Sequence, residues 1–449
     1  MSDRYPATTP PGIAATQPTR ARFVILTLIA IGTTINYLDR SVVGIAAPSM
    51  TAELGLSAAL MGVIFSAFSW TYTLSQIPAG ILLDRFGTRW VYYAALTLWS
   101  LFTGLQSLAT GFVSMLGLRL AMGVAEAPCF PTNSRVVATW FPQNERARAT
   151  GIYTFAEYVG LAFLTPLLFW ILGEFGWRAL FAIVGAVGVL YGFVWLAKYH
   201  GPHESKTANQ AEIDLIAAGG GIVDGKNRAP RFQWSQIPAL LRERSMLGIC
   251  IGQFACNSTN VFFLTWFPTY LAVERHMAWL KVGFIAILPF IAACVGTLFG
   301  GWFSDFLLKR GVSLNIARKG PVIAGLLLAS VIVGANYVES NAVVIAILCV
   351  AYFAQGMSAL AWMIVSDIAP KELLGLSGGV FNLFANAAGI VTPLAIGVIV
   401  SATGSFVGAL AFISVVTLIG ALTYIFVVGD LKRIEIVRLP STAQAAAIA

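Results

Sequence analysis

Charge is scarce in this chain. Of 449 residues, 28 are Lys or Arg and 20 are Asp or Glu, a charged share of 11% where an ordinary soluble domain carries about 25%. That shortage argues against a water-soluble fold. Histidine is scarcer still: His200, His203 and His276 fall in loops without ligand spacing, so neither a metal site nor histidine acid–base chemistry is expected. The five cysteines (Cys129, Cys250, Cys256, Cys294, Cys349) all fall in apolar segments. They read as small buried hydrophobes and offer no disulfide or metal pattern. No cofactor is expected. No cleavable leader is expected either: the Pro/Thr-rich start MSDRYPATTPPGIAATQPTRAR runs into a full-length apolar segment that would remain as an anchor.

What the chain has instead is hydrophobicity, at 58% of residues with a mean hydropathy of +0.79. Its length accommodates about twelve spans of roughly 20–25 residues. We place apolar segments near 23–46, 57–83, 90–108, 112–135, 147–173 and 177–198, and again near 246–272, 282–304, 320–338, 342–366, 376–400 and 404–428. The fold class expected is an all-α integral membrane protein.

The formal net charge of +8 does not form one patch, which argues against nucleic acid as a partner. Basic residues recur in alternate loops: Arg85 and Arg89, Arg146 and Arg148, the 199–245 connector, Lys309 to Lys319, Lys371, and Lys432 to Arg438. Only Arg178, Arg275 and Lys281 fall on the other side. The positive-inside rule then puts both termini in the cytoplasm.

The polar connector divides the chain into a tail at 1–22, six spans over 23–198, the connector at 199–245, six spans over 246–428 and a tail at 429–449. The connector holds a candidate amphipathic helix, NQAEIDLIAA. The halves echo each other. GILLDRFGTR (80–89) follows the second span and GGWFSDFLLKRG (300–311) the eighth, with Asp84 and Asp305 in matching places. Repeats of this kind build a binding site near the midplane between two bundles.

The string Gly80 to Arg89, with its weaker second copy, resembles the signature of the major facilitator superfamily. The resemblance implies that Asp84, Arg85, Arg89 and Asp305 tie helix ends and control gating. Gly80 and Gly87 would permit close backbone approach and a tight turn. The strings NYLDR, FSAFSWTYTLSQIPAG, AEAPCFPTNSRVVATWFP, FFLTWFPTYL, SLNIARK, SGGVFN and VGDLKRIE, spread over about residues 20–436, resemble the anion:cation symporter family. Within it they are similar to the proton-coupled bacterial carriers of sugar acids, those for D-galactonate and D-glucarate/galactarate. The resemblance implies an inner-membrane symporter that brings in a hexonate or hexarate with protons, acting as a monomer. Alternatives are another organic anion, such as a hexuronate or an aromatic carboxylate, and export. An enzyme would need a nucleophile–base set or metal ligands, and a sensor a soluble output module; the sequence offers neither.

Ionisable side chains inside apolar spans cost about 2.5–3.5 kcal/mol at a helix centre and generally face an internal cavity. Asp39 and Arg40 lie in the first span, Arg119 and Glu126 in the fourth. Seven residues apart, Arg119 and Glu126 share a helix face. A guanidinium suits a carboxylate because it donates two parallel hydrogen bonds, so Arg40 and Arg119 are candidates to hold an anion. The alternative is a structural charge network joining the two helices. Desolvation favours a protonated carboxyl and a neighbouring Arg an ionised one. The resemblance therefore implies that Asp39 and Glu126 carry protons, with permanent ion pairing as the alternative.

Tyr37, Tyr72, Gln253, Asn257, Trp362 and Asn382 are candidates for a polyol chain: donors and acceptors for hydroxyls, and flat faces for C–H surfaces. Glu157 departs from the pattern of the galactonate carriers, which have Gln there. It is a candidate third proton site or the mark of a different cargo, or else a carboxylate satisfied by Arg40 or Arg119. Asp367 is expected to take part in gating, with Lys371 nearby.

Overall fold

The computed structural model describes residues 17–223, 237–370 and 373–434. Lys371 and Arg438 lie outside the described residues. Within hydrocarbon, a helix satisfies all of its backbone polar groups internally, and the apolar segments form helices accordingly. The first half comprises α1 (Ala21–Leu54), α2 (Ala58–Leu105), α3 (Phe112–Glu126), α4 (Cys129–Trp140) and α5 (Arg146–Lys198). Two short helices follow, α6 (Gln210–Ala218) and α7 (Ile237–Arg242). The second half holds α8 (Arg244–Thr265), the single turn α9 (Phe267–Thr269), α10 (Trp279–Lys309), α11 (Leu314–Ala329), α12 (Asn341–Ser358), α13 (Ala361–Ile368), α14 (Leu374–Thr403) and α15 (Val407–Phe426).

Ten helical stretches among the described residues are long and apolar enough to cross a membrane. The two longest, α2 and α5, each fold back at one glycine: Gly87 (φ 77°, ψ 165°) and Gly176 (φ 79°, ψ 172°). That backbone conformation is essentially open to glycine alone. The ten stretches therefore make twelve crossings, in two six-helix bundles. The fourth and tenth crossings are each interrupted, between α3 and α4 at Ala127–Pro128 and between α12 and α13 at Ala359–Leu360. The pseudo-repeat extends to these breaks. A Cβ at Gly80 would meet nothing within 4 Å, so the close approach expected there is absent and the turn rests on Gly87.

Apolar packing shows how the halves meet. One continuous cluster at the end away from the termini joins Val42, Met50 and Ile64 of the first half to Phe262, Trp266 and Ile396 of the second. Close backbone crossings seal that end: a Cβ on Gly62 would lie 2.6 Å from the Pro393 carbonyl oxygen, and one on Gly44 2.5 Å from that of Leu264. At the terminal end the packing is split into two separate clusters. One lies around Trp99, Trp140 and Trp195 in the first half. The other lies around Ile249, Ile364 and Tyr424 in the second. The bundles diverge toward the termini and leave a cavity between them.

The connector helix α6 forms as its sequence predicts, with Asn209 accepting the Glu212 amide at its N-cap (3.0 Å). Its Glu212 is fully buried and caps α1 from outside that helix. It accepts the backbone amides of Ala21 (3.0 Å) and Arg22 (3.2 Å), and pairs with the Arg22 guanidinium at 3.0 Å. Arg20, at the α1 N-cap, gives no side-chain cap of its own. Truncating one partner of a buried ion pair costs about 3–5 kcal/mol, and Arg22 keeps Glu145 as a second partner at 3.0 Å. Glu212→Ala is therefore expected to destabilise by about 3 kcal/mol, read as a fall of several degrees in the melting temperature of the purified protein. An unchanged melting curve would show that the cap is idle.

Candidate functional site

The cavity between the bundles has a volume of about 710 Å³. First-half residues on its wall include Tyr37, Arg40, Phe68, Tyr72, Arg119 and Glu157. The second half contributes Gln253, Asn257, Asn260, Gln355, Trp362 and Asn382. Nine of the candidates read from the sequence thus converge on one chamber, although they come from both halves of the chain.

The charges are arranged differently from their order in sequence. Arg40 donates from Nε to Glu126 Oε1 at 2.5 Å, and its Nη2 contacts the same oxygen. The pair thus joins α1 to α3. Glu126 is fully buried and does not line the cavity; Arg40 stands between it and the chamber. Three rings surround the Arg40 guanidinium: Phe68 (4.7 Å), Tyr72 (4.9 Å) and Tyr37 (5.3 Å). Cation–π attraction of this kind is worth about 0.5–2 kcal/mol. It compensates part of the desolvation of the guanidinium and fixes its orientation.

Arg119 is 3% exposed, and among the described residues no carboxylate forms an ion pair with it. Its contacts are the Ile64 carbonyl (3.4 Å), the Met122 sulfur (3.5 Å) and the Phe68 ring (5.3 Å). Phe68 therefore lies against both guanidiniums, a role the sequence reading missed. Its spacing of four from Tyr72 placed it on the same helix face, but nothing in the sequence gave the direction of that face.

Asp39, like Glu126, corrects the expectation that all four charges face the cavity. It is fully buried behind the wall, where it accepts from Trp99 Nε1 (2.8 Å) and the Ser100 hydroxyl (3.1 Å). Its Oδ1 has no hydrogen-bond partner among the described residues. Glu157 is 5% exposed and lines the cavity. Among the described residues it forms no ion pair with Arg40 or Arg119, and it shares the cavity wall with Tyr37 and Arg40.

The second-half wall is neutral and polar. Asn257 donates to the Ala385 carbonyl at 2.5 Å, Asn260 accepts from Tyr352 at 2.7 Å, and Asn386 donates to the Asn382 carbonyl at 2.9 Å. Trp362 is 45% exposed and meets Phe381 edge-on at 4.8 Å between centroids. Oε1 of Gln253 and Oε1 of Gln355 are both buried without a hydrogen-bond partner among the described residues. Gln355 was missed by the sequence reading, although a lone Gln within AYFAQGMS is the same signal that singled out Gln253.

The repeated motif lies away from the chamber. Asp84 pairs with Arg135 at 2.7 Å, and Arg135 also donates to the Leu83 carbonyl. Arg89 donates twice to the Leu196 carbonyl (2.7 and 3.1 Å), and Arg85 lies over Phe86 at 5.3 Å. In the second copy Asp305 faces Arg318 at 3.7 Å, and Arg318 also faces Asp367 at 3.5 Å. These ties join helix ends at the terminal face. Among the described residues no cluster of His, Cys, Asp and Glu has the makings of a metal site.

A twelve-helix membrane protein with a polar, two-sided cavity between its bundles belongs to the class of multi-pass carriers. The family model for the Major Facilitator Superfamily matches residues 29–384, and the chain belongs to that superfamily. It is 44% identical to the D-galactonate transporter of Escherichia coli O6:H1, over 94% of this chain and 99% of the relative. It is likewise 44% identical to the probable galactarate/D-glucarate transporter of Escherichia coli strain K12, over 93% and 96%. Among solved structures it resembles an inward-facing, occupied bacterial homologue of the human lysosomal transporter Spinster, with a TM-score of 0.70 at 18% identity, covering 91% of this chain and 97% of the other. The motif resemblance to the sugar-acid carriers is thus matched along nearly the whole chain, and membership makes the protein a membrane transporter rather than an enzyme.

Proposed function

We propose that the protein is a proton-coupled symporter that imports a sugar-acid anion across the bacterial inner membrane, as a monomer with both termini in the cytoplasm. The observation that carries this reading is the asymmetry of the chamber. The first half offers guanidiniums, one of them without a carboxylate partner among the described residues, and the second half offers amides and an indole. A carboxylate fits the first wall and a hydroxylated chain the second. The names of the relatives support the same class of cargo.

Coupling follows from the Arg40–Glu126 pair. An incoming carboxylate competes with Glu126 for the Arg40 guanidinium, and a proton on Glu126 releases Arg40 for the substrate. Asp39, buried on the same helix one residue away, and Glu157, within the chamber, are the further proton-site candidates. Alternating access would rock the 23–198 bundle against the 246–428 bundle about the connector 199–245. Gly80, Asp84, Arg85, Gly87, Arg89 and Asp305, together with Asp367, would make and break the ties that close the terminal end. An inside-negative potential opposes an entering anion by about 2.3 kcal/mol per charge per 100 mV. More than one proton per monoanion makes inward transport electrogenic and downhill.

The test is uptake into proteoliposomes under an imposed pH gradient, comparing D-galactonate, glucarate, galactarate and glucuronate. Accumulation of a hexonate or hexarate that collapses when a protonophore is added is expected. Uptake that no sugar acid drives or competes for would sink the substrate assignment. Uptake insensitive to the protonophore would sink the coupling.

A further inference from the structure

The two guanidiniums of the chamber are held by acceptors of different kinds. Arg40 meets a carboxylate, that of Glu126. Arg119 meets neutral acceptors: its Nε donates to the Ile64 carbonyl at 3.4 Å and its Nη1 to the Met122 sulfur at 3.5 Å. The Phe68 ring, one helical turn beyond Ile64 on α2, lies 5.3 Å from the same guanidinium. Neither hydrogen bond uses Nη2, and Arg119 lines the chamber.

The sulfur is itself held in place. Met122 is fully buried and follows Arg119 by three residues on α3, the spacing that makes two side chains neighbours on a helix. Two further polar groups reach its sulfur from the end of α2: the Thr103 hydroxyl at 3.7 Å and the Gln106 amide nitrogen at 3.9 Å. A methionine that only fills a gap in a core needs no donors around it. Here donors from two helices converge on one sulfur.

The kind of acceptor matters for an anion site. A thioether is a weak, uncharged acceptor, so it can fix the direction of an N–H without cancelling the charge behind it. A carboxylate in its place would compete with an anionic ligand, as Glu126 does at Arg40. An apolar side chain would leave the cation free but unaimed, and a planar fork makes two parallel hydrogen bonds only when it is aimed.

On the strength of the sugar-acid reading above, we infer that Met122 is a positioning residue: its sulfur and the Ile64 carbonyl aim the Arg119 fork at the ligand carboxylate and leave the cation uncommitted. The two arginines then differ in duty. The availability of Arg40 turns on a proton, and that of Arg119 does not.

Equilibrium binding of labelled D-galactonate to the purified full-length protein tests this. Met122→Leu nearly conserves volume, a swap that cores tolerate well, and removes the acceptor. Its Kd is expected to rise about tenfold, the effect of losing one hydrogen bond to a charged group, with little change in melting temperature. Met122→Gln restores an uncharged acceptor on an unbranched chain and is expected to recover most of the affinity. Arg119→Lys supplies the control, because an ammonium has no fork to aim. In that background Met122→Leu is expected to cost nothing further, since residues acting on one contact couple instead of adding. Wild-type affinity in Met122→Leu would overturn the inference. So would a tenfold loss that persists in the Arg119→Lys background, or that a folded Met122→Gln fails to relieve, for Met122 would then act by packing alone. If the wild type binds no sugar acid at all, the substrate reading itself fails and the inference falls with it.

Discussion

Arg119→Gln is expected to weaken substrate binding severely while leaving the protein folded. Arg119 is buried, points at the chamber, and among the described residues has no carboxylate partner. Its removal therefore strands no buried anion in the empty protein. The loss falls on the ligand. Truncating one side of a buried, hydrogen-bonded charge pair costs about 2–5 kcal/mol, or roughly 30-fold to more than 1,000-fold in Kd. Arg119→Lys keeps the charge and loses the two-pronged donor geometry, so it should recover only part of the affinity. Equilibrium binding of labelled D-galactonate to the purified variants checks both. Wild-type affinity in Arg119→Gln would mean that Arg40 alone holds the anion. An equal loss in Arg119→Lys and Arg119→Gln would mean that geometry outweighs charge.

The second large effect is expected from Glu126→Gln: loss of proton-driven accumulation, with substrate exchange across the membrane retained. Glu126 is fully buried and pairs with Arg40. An amide in its place still accepts a hydrogen bond from the guanidinium, yet carries no proton to release. It also leaves the Arg40 charge unmatched until a substrate carboxylate arrives. Binding should therefore persist or tighten, while the melting temperature of the empty protein falls, since an uncompensated buried charge costs about 3–5 kcal/mol. Counterflow with D-galactonate reads exchange and an imposed pH gradient reads accumulation. If the variant still concentrates substrate, Glu126 is not a coupling residue. If counterflow is lost as well, its part is structural or in binding.

Much of the architecture was legible because a membrane chain has few options. Scarce charge, twelve apolar runs and alternating basic loops led to a helical bundle protein, and the two copies of the Asp84 and Asp305 motif led to two related halves. The helix boundaries were less so. Continuous helical geometry carries α2 and α5 through their turns, and only Gly87 and Gly176, at positive φ, mark where each chain reverses. The connector helix was readable from NQAEIDLIAA, but its docking on α1 through Glu212 was not. A capping acceptor supplied from about 190 residues away leaves no local pattern.

The site shows the same division. Polar and ionisable residues inside apolar runs pointed to Tyr37, Arg40, Tyr72, Arg119, Glu157, Gln253, Asn257, Trp362 and Asn382, and all nine line one cavity. Two further candidates, Asp39 and Glu126, stand behind the cavity wall instead of on it. Asp39 and Arg40 are neighbours in the chain, but successive residues of a helix point about 100° apart. Asp39 therefore turns to Trp99 and Ser100, while Arg40 turns to Glu126 and the chamber.

The sequence by itself determined that the chain crosses a membrane twelve times, that it is built of two related halves, and which side chains are too polar to sit in lipid. Hydropathy and burial cost are properties of single residues and short windows, so one dimension suffices for them. Only the tertiary structure decided which charge answers which: among the described residues Arg40 is matched and Arg119 is not, Glu157 shares the cavity wall with Tyr37, and the facing wall is neutral. Electrostatic partners are set by distances between helices, and those distances exist only after the bundles have packed.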